Sequence, residues 1–170
     1  MKITDVKTDL TRESLMGILR YIPESGIFTW VKPPAHQTLK SGDLAGYLRD
    51  NGYWYIKINR RAYSAHRLAW LYVHGEWPTH LIDHINGIKS DNRIENLRQA
   101  NKSQNCANGK LRTHNTSGLK GVSKFKNKWR AQITHNQVVI YLGLFNTKEE
   151  AHEAYLQAAQ RLHGEFAKAA

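Results

Sequence analysis

The chain has a single cysteine, Cys106, in 170 residues. That excludes a disulfide framework and any cysteine-rich zinc site. Long apolar runs are missing too: none approaches the roughly 20 residues that span a bilayer. The opening MKITDVKTDL lacks the apolar core of a signal peptide. A soluble cytoplasmic protein with no membrane partner is therefore expected. Acid is the most telling absence. No Asp or Glu stands between Glu95 and Glu149, whereas that stretch holds ten Lys or Arg, within a chain of net charge +11. A solvated face mixes both signs, so one-sided positivity points to a polyanion partner, nucleic acid before membrane, because the charges are interleaved with Gly, Thr and strand-like residues.

What is present is enough for one domain or two small ones, with 41% hydrophobic residues and no low-complexity tract. In residues 9–22, DLTRESLMGILRYI, Leu15, Ile18, Leu19 and Ile22 share one helical face, with Thr11 as N-cap and Pro23 and Gly26 beyond. GIFTWV then reads as a strand. AGYLRDNGYWYIKINRRAYS reads as strand, turn, strand and turn, the DNG at 50–52 being the stronger hairpin signal. AHRLAWLYVHG, 65–75, predicts a helix with Leu68, Leu71 and Tyr72 inward and Gly75 at its end. Trp54, Trp70 and Trp77 are expected in the core rather than against bases. His74, His80, His114 and His135 have no partners at ligand spacing.

LIDHINGIKSDNRIENL, 81–97, is the informative stretch. HLIDHI predicts a short strand that delivers Asp83 and His84 at its end, followed by a polar loop. Asn96 and Asn105 lie nine residues apart, half a turn out of register on one continuous helix. If ENLRQA is instead a second strand and Asn101 caps a short helix over 102–109, Asn105 turns toward the strand end. The pattern is then a ββα hairpin with His84 and Asn105 facing across it. Asn86 and Asn92 read as turn and cap residues. A neutral imidazole takes a proton from water near pH 7. One carboxylate and one amide form a sparse, all-oxygen ligand set suited to a hard cation whose shell the substrate completes.

Asp83-His84, Asn96 and Asn105, with AHRLAW before them and SQN after, resemble the HNH endonucleases, in the phage homing-enzyme variant with Asn at the third position. The resemblance implies a metal-dependent enzyme, phage-type, that nicks double-stranded DNA. In it His84 is the general base, and Asp83 and Asn105 hold one Mg²⁺ or Mn²⁺. Asn96 braces the loop, and its carbonyl is a candidate to orient His84. Asn108 is the fallback for Asn105. Arg67 is a candidate phosphate contact, and Arg60 and Arg61 mark a hairpin tip.

After residue 112, LKGVSKFKNKWRAQITHNQVVIYLGLF alternates as a three-stranded meander with turns near Lys126-Asn127 and His135-Asn136. A Thr147–Glu150 capping box opens an Ala-rich helix. This segment resembles the plant ethylene-response-factor (Apetala-type) DNA-binding domain through KGV at 120–122, Trp129, Ala131, YLGLF at 141–145 and the final helix. The resemblance implies that the open sheet face enters the major groove, with Lys120, Ser123, Lys124, Lys126, Trp129, Arg130, Gln132 and Tyr141 facing DNA. Ser and Lys stand where that family has first-strand arginines, and Tyr141 where it has a third-strand Trp.

The expected fold is α+β: an N-terminal helix and antiparallel strands, a central ββα-metal hairpin, and a C-terminal three-stranded sheet on one helix. The expected domains are 1–110 for the endonuclease (bracing region 1–63, catalytic region 64–110), 111–117 as linker, and 118–170 for DNA binding. Without heptads or a self-pairing edge, a monomer in a host's cytoplasm is expected. The alternative is a non-catalytic DNA-binding regulator that keeps an HNH-like fold.

Overall fold

A computed structural model describes residues 10–35, 38–109, 111 and 114–167. The chain is α+β and forms two compact units, residues 1–99 and 100–170. Of the expected linker, Arg112 and Thr113 lie outside the described residues.

In the first unit, Thr11 closes a capping box with Ser14 and starts α1 (Arg12–Met16). The expected helix over 9–22 stops there. Gly17 caps it, and the chain turns into β1 (Leu19–Ile22), which pairs antiparallel with β2 (Ile27–Trp30). Leu19 and Tyr21 alternate inward with Arg20 outward, so period two prevails over the helical spacing that Leu15, Leu19 and Ile22 also satisfy. A second sheet joins β3 (Tyr47–Leu48), β4 (Trp54–Ile58) and β5 (Arg61–Ser64). Its β4–β5 turn places Asn59 and Arg60 at positive φ, the backbone of a two-residue hairpin loop. Then α2 (Ala65–His74) ends on a left-handed Gly75, as its sequence predicts. Leu15, Leu19, Phe28, Ile56, Leu68 and Leu71 are its largest fully buried side chains, each contributing about 1.5–3 kcal/mol of burial. Trp54, Trp70 and Trp77 pack around that core.

β6 (Leu81–His84) and β7 (Leu97–Ala100) form a two-stranded sheet, with a 3-10 turn over Ile94–Asn96 before β7. Two four-residue strands do not stand alone in water. The loop between them is held by the β1–β2 hairpin. Tyr21 donates its hydroxyl to the Asn92 carbonyl at 2.7 Å. Gly26, at φ +72, lies so close to the Asn92–Arg93 backbone that a Cβ there would collide with it.

The second unit begins with α3 (Lys102–Asn108), opened by a capping box between Asn101 and Gln104. The sheet follows as β8 (Val122–Phe125), β9 (Lys128–His135) and β10 (Val138–Phe145), in spatial order β10-β9-β8. α4 (Lys148–His163) starts at the Thr147–Glu150 capping box and lays Ala151, Tyr155, Ala158 and Ala159 on Val122, Ala131 and Ile133. Gly121 has φ +74 and lies against the Tyr155 ring, so any side chain there would displace it.

Candidate active site and nucleic-acid face

The strand end expected to carry the chemistry does carry an adjacent acid and base. Asp83 and His84 close β6, and both are buried, at 4% and 5% exposure. Asp83 Oδ2 accepts a hydrogen bond from Arg98 Nε at 3.0 Å, an ion pair spanning the two strands of the hairpin. Sequence gave no hint of this pairing, because the partners lie fifteen residues apart and meet only once the hairpin closes.

Asn96 is the tie that closes the loop. Its Oδ1 accepts from the Asn86 amide at 2.9 Å, and its Nδ2 donates to the Asp91 carbonyl at 2.9 Å. One side chain thus joins both ends of a six-residue turn and satisfies a donor and an acceptor together. Asp91 is a second hub: its carboxylate accepts from Arg93 Nε and Nη2 at 2.9 and 2.7 Å and from Asn86 Nδ2 at 2.7 Å. Hydrogen bonds from Arg93 hold its carboxyl well below the usual carboxylate range, at about 2.

His84 is oriented by Asn92, a residue that local sequence identifies only as a turn former. Asn92 Oδ1 stands 3.4 Å from His84 Nε2, while its Nδ2 donates to the Ser90 carbonyl at 3.2 Å. That donation turns the amide oxygen toward the ring, which favours the tautomer with the proton on Nε2 and the lone pair on Nδ1. His66 and Tyr53 complete the setting. The His66 ring meets His84 edge-on, with centroids 5.2 Å apart, and Tyr53 lies 5.3 and 5.8 Å from the two imidazoles. Burial, then the neighbouring His84 and Arg67, push the His66 imidazole down to about 3. Burial also lowers His84, against the opposing pull of Asn92 and Asp83. Both rings are neutral at pH 7, and a neutral His84 is the form able to accept a proton. The helical spacing of α2 places His66 at its first turn, but nothing local announces that this turn faces the β6 end.

A family model described as HNH endonuclease matches residues 63–107. Protein 3.8 of Escherichia phage T7 is 32% identical over 123 residues, 64% of this chain and 91% of that protein. Residues 63–107 are an HNH endonuclease family domain. A second relative, an uncharacterized HNH endonuclease, L560, of Acanthamoeba polyphaga mimivirus, is 31% identical over 123 residues. The chain spans 64% of that relative's length.

HNH endonucleases act on DNA and generally use a divalent metal. The donor set here fits a hard cation of that kind. Asp83 offers a buried carboxylate beside His84. Among the described residues no group of three His, Cys, Asp or Glu is arranged to hold a metal. A cation at Asp83 would therefore draw most of its shell from water and substrate oxygens. Asn105 lies half-buried in the middle of α3 and Asn108 is buried in its last turn; both belong to the second unit. Arg67 is half-buried over the Trp77 ring, 5.8 Å from its centroid, with a long hydrogen bond to the Pro78 carbonyl.

In the second unit the register sorts the expected DNA-facing residues into two sets. Val122 pairs with Ala131 against α4, so their neighbours Ser123 and Arg130 face away, as do Gln132 and Tyr141, which pair with each other. Arg130 Nε donates to Ser123 Oγ at 3.3 Å. Lys124 and Trp129 pair on the helix side instead, with the ammonium 4.5 Å from the Trp129 ring centre and the indole packed on the Val122–Ala131 cluster. Lys120 donates its ammonium to the Ala107 and Gly109 carbonyls at the end of α3. Lys126 stands exposed at the β8–β9 turn with φ 51.

Proposed function

We propose that this protein is a metal-dependent HNH endonuclease of the phage homing type that nicks double-stranded DNA. The observation that carries the reading is the buried His84, held by Asn92 beside the buried Asp83, inside the segment that matches the HNH family. His84 Nδ1 removes a proton from the attacking water while Asn92 retains the proton on Nε2. Asn96 holds the loop that carries Asn92, so its role is positioning. Asp83 and, from the sequence pattern, Asn105 are the proposed ligands of one Mg²⁺ or Mn²⁺, with Asn108 as the alternative. When bound, such an ion offsets charge on the scissile phosphate and the departing oxygen. Arg98 pairs with Asp83 across the hairpin and offsets its charge in this buried setting.

The C-terminal sheet is the proposed DNA-positioning element, an ethylene-response-factor-like module. Its support is the acid-free stretch from 96 to 148 and the open face that carries Ser123, Arg130, Gln132 and Tyr141. Arg130 and Gln132 present paired donors or acceptors of the kind that read base edges, while Lys126 and Lys128 serve phosphates. A monomer acting in the cytoplasm of a bacterial host suits a single hairpin site per chain and one cut.

Nicking of supercoiled plasmid tests the reading, with Mg²⁺ or Mn²⁺ against EDTA, for wild type and His84→Ala. Metal-dependent nicking that His84→Ala abolishes while DNA binding persists is the expected result. Binding that survives EDTA with no cleavage in either metal would replace the enzyme with a regulator. Cleavage by His84→Ala would move the chemistry to another residue.

A further inference from the structure

The face of the C-terminal sheet that points away from α4 is half apolar. Register pairs place Val139 opposite Thr134, Tyr141 opposite Gln132 and Leu144 opposite Arg130 on that face, with Phe125 opposite Lys128 at its far end. All four apolar side chains are exposed, Val139 and Tyr141 at 59% and 61%. Strand β10 thus runs an apolar stripe alongside the polar and cationic row of β9. The extra residue at the β10 bulge between Tyr141 and Gly143 keeps the stripe on one face, by returning Leu144 to the side that Tyr141 occupies.

An apolar stripe beside lysine and arginine, in a 53-residue stretch without one acid, suits a polyanion that itself displays apolar groups. In the major groove the one apolar group on a base edge is the C5-methyl of thymine. Resting on the reading that this sheet docks on duplex DNA, we propose that Val139, Tyr141, Leu144 and Phe125 recognise the 5-methyl groups of pyrimidines in the major groove. Val139 and Tyr141 lie two residues apart, about 6.8 Å along an extended strand. Two nucleotide steps rise about the same distance along the duplex axis. With β10 close to that axis direction, the pair meets methyls on alternate bases. Arg130 and Gln132 supply hydrogen bonds to the neighbouring base edges, so the face combines polar readout with methyl readout.

The test is binding of the full chain in EDTA, where no cut is made, to alternating dA–dT and dA–dU duplexes of equal length. These differ only in the methyl group. The expected result is weaker binding to the dU duplex by at least about fourfold, the weight of one buried carbon. A dG–dC duplex should bind more tightly once its cytosines carry 5-methyl groups. The surface variant Val139→Ser, Tyr141→Ser, Leu144→Ser should bind the dT and dU duplexes equally. Equal affinity for the dT and dU duplexes would overturn the methyl assignment and leave DNA docking standing. Failure to bind any duplex would overturn both. A self-associating chain that the triple variant makes monomeric, with no methyl effect, would give the face to a second copy instead.

Discussion

Removing Arg98 should unmask the charge that it offsets. In Arg98→Ala the Asp83 carboxylate, with its side chain only 5% exposed, loses the guanidinium now 3.0 Å away. Breaking a buried pair from one side costs about 3–5 kcal/mol, since the surviving charge stays desolvated. The Arg98 side chain is 13% exposed, so water can follow it out and the low end applies. For a unit of about 100 residues, about 3 kcal/mol corresponds to a fall in Tm of roughly 12–24 °C. Thermal unfolding followed by circular dichroism in EDTA reads this directly. If Asp83 is a cation ligand, Mn²⁺ should restore much of the loss, and raise Tm more in Arg98→Ala than in wild type, where arginine already compensates the carboxylate. Asp83→Asn in the Arg98→Ala background should recover stability by removing the stranded charge, and should abolish the response to Mn²⁺. An Arg98→Ala chain that melts within about 2 °C of wild type in EDTA, or that Asp83→Asn makes less stable still, would rule out this role for the ion pair. The exposed, solvent-screened Arg93–Glu95 pair offers the control, and its removal should leave Tm nearly unchanged.

Two further outcomes are specific. Asn96→Ala strands the Asn86 amide and the Asp91 carbonyl, and should cost about 2–3 kcal/mol in urea unfolding and remove nicking, whereas retained activity would separate the loop tie from the chemistry. Asp91 has its folded pKa held below the unfolded 3.8, so its contribution is complete above about pH 4 and disappears as pH falls toward 2. Discounted for the solvent around Arg93, that contribution is about 1 kcal/mol. Asp91→Asn should flatten this part of the stability profile in urea titrations between pH 5 and pH 2, and an unchanged slope would count against the assignment.

Local signals in the sequence are read reliably where one residue decides them. Thr11, Asn101 and Thr147 each announce a helix start, and all three side chains cap as their spacing requires. Gly75 ends α2 because a left-handed residue is needed there. Sequence reading fails where two periods coincide. Leu15, Leu19 and Ile22 satisfy a helix, but Leu19 and Tyr21 also satisfy a strand, and Gly17 together with pairing to β2 decides for the strand. In the loop, Asn86, Asn92 and Asn96 are the same side chain in similar local settings. Only closure of the turn gives Asn96 the backbone and Asn92 the histidine.

The match to the HNH family begins at residue 63, yet the orientation of His84 depends on residues well before that point. His84 receives its direction from Asn92, Asn92 is fixed through its carbonyl by Tyr21, and Gly26 admits the same backbone into close packing. Tyr53 borders both imidazoles. A hairpin of two four-residue strands has no core with which to rigidify a polar loop of this length. The strands preceding it supply one, with the Tyr21 ring packed at a tilt against Phe28 and Tyr72. The buried Tyr21 hydroxyl is already committed to the loop, so a change that repacks this aromatic cluster reaches His84 through two hydrogen bonds in series, Tyr21 to Asn92 and Asn92 to His84.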